Sequence, residues 1–456
     1  MIDTNLEFLQ SELREVVNLF GDEQEFNIKH KFSESENKLV NTVTVNGKTY
    51  AYGNLAPEFK DDIHKKRIVK RYAKLSLYKA LSRLTGKDLP WGALTGIRPT
   101  KLAYQQIEEC GEFEDFFTSV MKVSPEKTQL TKAVLDSQKG IYQKDDKNTD
   151  FFVFVPFCPS RCKYCSFISA DIKSAEKQVD GYVDALIDEI EFSKRFIGNL
   201  RSIYIGGGTP VSLCDEHLER VLSALDGISS GVEFTVEAGR PDAITETNLA
   251  ILKRHGVNRI CINPQTFSDK TLKVLGRNHT ADEVVQKYLI AKEKFNINMD
   301  LIAGLEGEDF NDFKYSLDKA ISLSPDNITV HTLCIKRGSR LALTEKRLSG
   351  ELVDKMLDYA HSALKESGYS PYYLYRQKNM AGNLENVGYT KPEKACVYNI
   401  DVMEEISNNV ACGANAISKR IYLGGQRIER QASPKDVKTY IQKLQTIKED
   451  KTKLFS

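Results

Sequence analysis

At 456 residues the chain is too long for one ordinary hydrophobic core, and two or three domains are expected. Lys and Arg total 64 against 63 Asp and Glu, a formal net charge of +1, so no broad field gathers nucleic acid or anionic membrane and charge-driven recognition has to be local. No apolar run approaches the roughly 20 residues that span a bilayer, the acidic opening MIDTNLEFLQSELREV lacks a secretory apolar segment, and the nine cysteines are odd in number, so a cytoplasmic protein with reduced thiols is expected.

The chain reads as three regions: an α+β accessory domain over 1–148, a strand–helix alternation over 149–335, and a mixed domain over 336–456 expected to cover a substrate. In the first, EFNIKHKF and LVNTVTVNGKTYAYG read as strands, the second folded at Asn46-Gly47, which suits a tight hairpin. Over 61–84, Ile63, Val69, Tyr72, Leu75, Leu77, Tyr78 and Leu81 recur at roughly helical spacing, and Gly86 and Pro90 end the helix. Lys65, Lys66, Arg67, Lys70, Arg71 and Lys74 crowd its other face. Such a stripe can meet the phosphates of RNA, but it is more often the solvated face of a helix, and no RNA-binding module accompanies it.

In the second region FFVFVPF leads to a helix over 177–196, SIYIGG to 215–225, VEFTVEA to 246–255, NRICIN to 269–295, INMDLIAGL to 310–323, and NITVHTL to 352–366. Short apolar strands separated by helices imply a parallel sheet buried on both faces with right-handed crossovers. A closed barrel takes eight units. With six, an open, partial (β/α)6 barrel is expected, its missing side covered by the flanking regions.

VPFCPSRCKYCSF sets Cys158, Cys162 and Cys165 at CxxxCxxC spacing directly after the first of these strands, at the end where reactive groups of such folds collect. Three thiolates satisfy three irons of a 4Fe–4S cube and leave the fourth open to a chelating ligand such as the amino and carboxylate groups of S-adenosylmethionine (SAM). A structural zinc site wants four closed ligands, and no fourth Cys or His lies nearby; the ferredoxin run with its last Cys before Pro is also absent. Cys110, Cys214, Cys261, Cys334, Cys396 and Cys412 are expected to be buried small hydrophobes.

The following strand ends carry groups suited to SAM. Gly206-Gly207-Gly208-Thr209-Pro210 lets a ligand meet backbone atoms and the Thr209 hydroxyl, although a tight strand-to-helix turn explains the glycines equally well. Glu237 is an acceptor for ribose hydroxyls, and Gln265 stands near the end of the next strand. Arg277 offers a bidentate fork to the SAM carboxylate, and Asp300 lies within an apolar strand, where a carboxylate needs a partner or a polar cavity. Structural salt bridges and caps are the other reading of these residues.

In order and spacing, PFCPSRCKYC, GGGTP, TVEA, NPQTF, LGRNH and MDLIAGL resemble the oxygen-independent coproporphyrinogen III oxidase family of radical SAM proteins over residues 150–430. WGALTGIRPTKL and YYLYRQKNMAGNLENVGY resemble its coproporphyrinogen dehydrogenase subgroup of the HemZ type. The resemblance implies a radical SAM barrel, a 4Fe–4S cluster on Cys158, Cys162 and Cys165, and SAM contacts by Tyr164, Gly208, Thr209, Glu237, Gln265, Arg277 and Asp300. It further implies a low-potential electron donor such as flavodoxin or ferredoxin, and a deoxyadenosyl radical that takes hydrogen from propionate side chains, which leave as carbon dioxide to form vinyl groups. Phe152 replaces a hydroxyl-bearing aromatic of the oxidases, and Phe167 replaces their further Cys as it does in the related heme chaperones, so heme binding without decarboxylation is the alternative. A porphyrinogen or heme carries carboxylates. Tyr375, Arg376 and Lys378 are the candidates to meet them, with Tyr372, Tyr373, Gln377, Tyr389 and Tyr398 nearby in sequence and Arg98 and Lys101 from the first region.

Overall fold

In the computed structural model, which describes residues 2–21, 23–35, 37–59, 61–96, 98–165, 170–334, 349–377, 380–422 and 427–456, the alternation in KLVNTVTV buries Leu39, Asn41, Val43 and Val45 on one face of a strand. Four strands form the first sheet in chain order: β1 (Ile2–Thr4), β2 (Ile28–Ser35), β3 (Lys38–Val45) and β4 (Lys48–Leu55). Val45 pairs with Lys48 across a two-residue loop whose φ angles, 49° at Asn46 and 83° at Gly47, are those of the expected hairpin. Helices α1 (Gln10–Val17) and α2 (Asp62–Thr85) pack together, and α2 lies against β3. Asp61 caps α2 by accepting from the His64 amide at 2.6 Å. The buried row of α2 is Ile68, Val69, Ala73, Leu75, Leu77, Tyr78, Ala80 and Leu81, whereas Ile63, expected in that row, is 79% exposed in the first turn. Much of the basic stripe is closed on acids: Lys70 and Lys74 hold Glu12 at 2.8 and 2.6 Å, and Lys65 holds Glu34 at 2.8 Å.

Two further helices, α3 (Pro99–Cys110) and α4 (Pro125–Ser137), precede the second sheet. Its parallel part runs β5 (Asn148–Val155), α5 (Glu176–Ser193), β8 (Asn199–Gly207), α6 (Asp215–Ser223), β9 (Glu233–Gly239), α7 (Glu246–Arg254) and β10 (Arg259–Ile262). It continues through α8 (Asp269–Leu275), α9 (Ala281–Ala291), β11 (Asn296–Ala303), α10 (Phe310–Leu323), β12 (Asn327–Thr332) and α11 (Gly350–Glu366). The short strands β6 (Phe157–Cys158) and β7 (Ala170–Asp171) pair with each other on either side of the cysteine loop. Helix stripes cover the sheet: α6 turns Leu218, Val221 and Leu222 inward, and α10 turns Phe313, Leu317 and Ala320.

The remaining elements are β13 (Ser370–Tyr375), β14 (Asn386–Thr390), α12 (Val397–Glu404), β15 (Asn408–Cys412), β16 (Ile417–Tyr422), β17 (Arg427–Ala432), α13 (Val437–Gln442) and α14 (Leu444–Phe455). Their strands join the sheet of the strand–helix region. The sheet has eleven strands in the order β13-β14-β12-β11-β10-β9-β8-β5-β15-β16-β17. The tail therefore extends the six-strand parallel core at both edges, with β14 antiparallel to β12 and β15 parallel to β5. No pairing among the described residues joins the outer strands, so the barrel is partial. The chain divides into two compact units, Met1–Lys132 with Gly382–Leu384 and Ala133–Ala381 with Glu385–Ser456, and hydrogen-bonded pairing holds β13 to β17 in the sheet of the parallel strands. Lys451 of α14 seals this arrangement: fully buried, it pairs with buried Glu189 of α5 at 2.7 Å.

The single helix expected over 269–295 is two. α8 stops at Gly276, whose φ of 74° is the left-handed cap that glycine adopts without strain, and α9 restarts from Thr280 with a Thr280–Glu283 capping box. Between the two helices, Arg277 turns inward.

Among the described residues no helix is long and apolar enough to cross a membrane, and no disulfide joins any of the nine cysteines. Cys261, Cys396 and Cys412 are buried as expected, but Cys110, at the end of α3, and Cys214, at the cap of α6, are exposed, and Cys334 is half-buried.

Candidate active site

β5 ends at Val155, and the chain passes through Pro156 into the loop that bears Cys158, Cys162 and Cys165. The C-terminal end of α8 and the residues after β8 hold this loop. The Lys163 amide donates to the Leu275 carbonyl at 2.9 Å, and the Ser160 hydroxyl donates to the Gly276 carbonyl at 3.4 Å. The Thr209 hydroxyl donates to Cys158 Sγ at 3.7 Å. Two buried guanidiniums approach Cys162 Sγ: Arg240 Nη1 at 3.5 Å and Arg277 Nη1 at 3.8 Å.

The glycine-rich turn serves the chain's own packing first. The Gly208 amide donates to the Val155 carbonyl and the Thr209 amide to the Phe157 carbonyl, each at 2.7 Å. A Cβ at Gly208 would stand 2.3 Å from the Phe157 oxygen, so only glycine lets these two strand ends meet. Gly207 lies against the Phe154 ring at a φ of 101°. The sequence reading offered the glycines and Thr209 to a ligand; here they also fix the root of the cysteine loop.

A cavity of about 310 Å³ opens beside the loop, lined by Tyr164, Cys165, Glu237, Gln265, Asp300 and Tyr375 from the expected set and by His331 and Cys334 besides. Cys158, Cys162, Gly207, Gly208, Thr209 and Arg277 are outside its lining. Glu237 accepts from the Tyr204 hydroxyl and, at 3.4 Å, from Asn263 Nδ2. Burial, with the neighbouring Asp300 carboxylate, pushes the pKa of Glu237 up to about 7. Asp300 accepts from Asn298 Nδ2 at 2.7 Å and stands 3.5 Å from His331 Nε2, which answers the need of a carboxylate inside an apolar strand. Gln265 has a φ of 68°, held there by backbone hydrogen bonds to Asp300 at 2.9 Å and Ile302 at 3.0 Å. Its side chain consequently reaches the cavity wall.

Arg277 is 5% exposed, and its fork is turned to the protein. Nη2 donates to the carbonyls of Asn263 at 2.6 Å and Gly239 at 3.3 Å, while Nη1 donates to the Tyr164 hydroxyl at 2.9 Å. It therefore links the cysteine loop to the ends of β9 and β10. Burial raises the pKa of Tyr164, which keeps the phenol neutral beside the arginine. Phe152 lacks a hydroxyl but stacks with Tyr204 and Tyr398, with centroids 6.2 and 5.9 Å away, and Tyr204 is the residue that brings a phenol to Glu237.

Of the residues expected to meet a carboxylated substrate, Tyr375 lines the cavity and its hydroxyl lies 3.4 Å from His331 Nδ1. Arg376, directly after β13, is 2% exposed and outside the lining, and burial lowers its pKa to about 10 with Glu385 as the counter-charge. Lys378 and Phe167 lie outside the described residues. Arg240 and His331 were not singled out from sequence. The signal for Arg240 was an Arg-Pro-Asp run directly after a strand; a lone His in NITVHTL carried none.

The donor set suits a cluster with an open iron. Three thiols lie on one loop, with a hydroxyl donor at Cys158 and two guanidiniums at Cys162, surroundings that suit sulfur ligands of iron. Among the described residues no three His, Cys, Asp or Glu side chains stand close enough to share a single metal ion. The cavity wall holds a buried acceptor, Gln265 Oε1, that has no protein partner and suits an amino or hydroxyl donor of SAM.

Comparison with known proteins agrees with this geometry. The Radical SAM superfamily model matches residues 152–320. The chain is 38% identical over 402 residues, 84% of its length and 79% of the relative's, to the oxygen-independent coproporphyrinogen-III oxidase-like protein HemZ of Bacillus subtilis (strain 168). It is 35% identical over 193 residues, 41% of this chain and 50% of the relative, to the heme chaperone HemW of the same organism. The solved structure of coproporphyrinogen III oxidase (HemN) from Escherichia coli shares the fold, with a TM-score of 0.53 and 22% identity over 71% of this chain and 73% of that one. The family uses a 4Fe–4S cluster and SAM, as the sequence resemblance implied. The chain belongs to the HemZ family of oxygen-independent coproporphyrinogen-III oxidase-like proteins within the radical SAM superfamily.

Proposed function

We propose that this chain is a cytoplasmic radical SAM oxidoreductase that converts propionate side chains of coproporphyrinogen III to vinyl groups without oxygen, with Cys158, Cys162 and Cys165 as the cluster ligands. The observation that carries the reading is the joining of a three-cysteine loop to a cavity walled by Glu237, Gln265 and Asp300, one of whose buried acceptors has no protein partner. When bound, the cluster and SAM supply a one-electron cleavage of the sulfonium and a carbon radical that removes hydrogen from the substrate. The electron comes from a low-potential donor such as flavodoxin or ferredoxin.

The chain's own residues bind and orient. Glu237 and Asp300 accept from the hydroxyl and amino groups of SAM, and Gln265 Oε1 takes a further donor. Arg277 acts through Tyr164 and the strand-end carbonyls, keeping the loop in register with the cavity. Tyr375 and His331 present hydrogen-bond donors at the substrate side, where a propionate requires them. The apolar faces of Tyr372 and Tyr373 exclude water from the same wall.

Anaerobic assay with SAM, reductant and coproporphyrinogen III tests the proposal: deoxyadenosine and vinyl product are expected, and deoxyadenosine formation is expected to rise when the porphyrinogen is added. The second reading is a heme chaperone, favoured by the 35% identity to HemW over 193 residues and by Phe167 in the position where the oxidases carry Cys. Stoichiometric heme capture with no vinyl product would select it.

A further inference from the structure

We infer that Arg240 is a positioning residue for Cys162: it holds the cysteine loop in shape and lays a fixed positive charge against the sulfur, raising the reduction potential of a cluster ligated there. The inference rests on the proposed ligation by Cys158, Cys162 and Cys165.

Arg240 follows the last residue of β9 and is 4% exposed. Its guanidinium is divided between two tasks. Nε and Nη2 donate to the two carboxylate oxygens of Asp242 at 2.9 and 2.7 Å, a bidentate pair that fixes the plane of the group. Nη1 faces the cysteine loop, where it reaches the Ser160 carbonyl at 3.3 Å, the Ser160 hydroxyl at 3.0 Å and Cys162 Sγ at 3.5 Å. The short helical turn Pro241–Ala243 brings Asp242 within reach of the arginine two residues before it. Aim and anchorage thus come from one local motif, Arg-Pro-Asp.

Cysteines in the same loop are treated unequally. Cys158 Sγ receives a hydrogen bond from a neutral hydroxyl, that of Thr209, whereas Cys162 Sγ faces the guanidiniums of Arg240 and Arg277. Asp242 offsets one of these charges. His279, buried beside them with its pKa lowered to about 3 by burial and by Arg277, adds none. The immediate surroundings of Cys162 therefore keep a net positive charge in a site with little solvent to screen it. Reduction adds one negative charge to a cluster already held by thiolates, and a nearby cation together with an N–H···S bond stabilises the reduced form. A low-potential donor then has less far to push the electron.

The test is the reduction potential of the anaerobically reconstituted full-length protein, followed by electron paramagnetic resonance as dithionite sets the ambient potential. In Arg240→Gln the ratio of reduced to oxidised cluster at a fixed ambient potential is expected to fall about tenfold, a shift of about 59 mV to more negative values for a one-electron couple. Arg240→Lys, which keeps the charge, is expected to recover most of that shift. Should Arg240→Gln fail to take up iron, Asp242→Asn gives a reading of opposite sign: with the counter-charge of the guanidinium gone, its potential is expected to rise. A wild-type potential in loaded Arg240→Gln, or in loaded Asp242→Asn, overturns the inference. Failure of the ligation itself is a different result, seen as iron retained by a protein lacking all three cysteines.

Discussion

The two sides of the site are built on opposite charge. On the cysteine side, Arg240 and Arg277 stand 3.5 and 3.8 Å from one sulfur, and both are buried. On the cavity side, Glu237 and Asp300 share a wall, and burial with mutual repulsion holds the pKa of Glu237 near 7. The first arrangement puts hydrogen-bond donors and positive charge against sulfur. The second holds Glu237, which exchanges a proton near neutral pH, among acceptors that suit hydroxyl and amino donors. One open set of strand ends thus offers a place for anionic sulfur beside a place for a cationic, hydroxyl-rich ligand.

Removing the cysteine side altogether is expected to have the largest effect. Replacing Cys158, Cys162 and Cys165 together by Ala is expected to abolish bound iron and the charge-transfer absorbance after anaerobic reconstitution; full iron in that variant would sink the ligand assignment. Arg277→Met leaves the strand-end carbonyl of Asn263 without its donor and takes from the Gly239 carbonyl one of its two, and a loss of about 3 kcal/mol is expected from the cost of unsatisfied buried groups. Urea unfolding of the cluster-free protein measures it, and an unchanged midpoint would mean that Arg277 does not tie the two sides together. Gly208→Ala places a methyl group 2.3 Å from the Phe157 oxygen and is expected to cost about 2 kcal/mol by the same measurement, in line with overpacked sites.

The cavity side is tested by pH. Folding raises the pKa of Glu237 from 4.5 to about 7, so across that interval the folded protein keeps a proton that the unfolded chain has released. Stability from this group falls as pH rises from 4.5 to about 7 and levels off above. Glu237→Gln is expected to flatten that part of the stability profile, and a slope identical to wild type would show that Glu237 does not carry the proton. The smallest effect is expected from Tyr375→Phe, which gives up one long hydrogen bond to His331 at 3.4 Å. Its stability is expected to change by about 0.5 kcal/mol or less, while a higher KM for porphyrinogen with little change in kcat would place the hydroxyl on the substrate.

Much of the core was legible because its signals are local. The Asn46-Gly47 hairpin needs only two residues that accept left-handed angles. The six parallel strands were visible because strands buried on both faces are continuous apolar runs. The tail was harder: β14 and β15 join opposite edges of one sheet, and nothing within five residues of either states which strand will pair with it. The break at Gly276 was hidden inside a long helical pattern, although it is what turns Arg277 toward Cys162. Where Arg376 lies was equally hidden: just past β13 it is buried outside the cavity lining, while Tyr375 next to it reaches the cavity.

By itself the sequence determined the three-cysteine loop, the strand–helix rhythm behind it and the chemical types gathered at the strand ends, because spacing and periodicity are properties of neighbours along the chain. Only the tertiary structure decided that Arg277 spends its fork on the protein, that Arg240 reaches the same sulfur from another strand, and that the tail completes the sheet. Those outcomes depend on distances between residues far apart in the chain, which are set when crossovers and strand register close the fold.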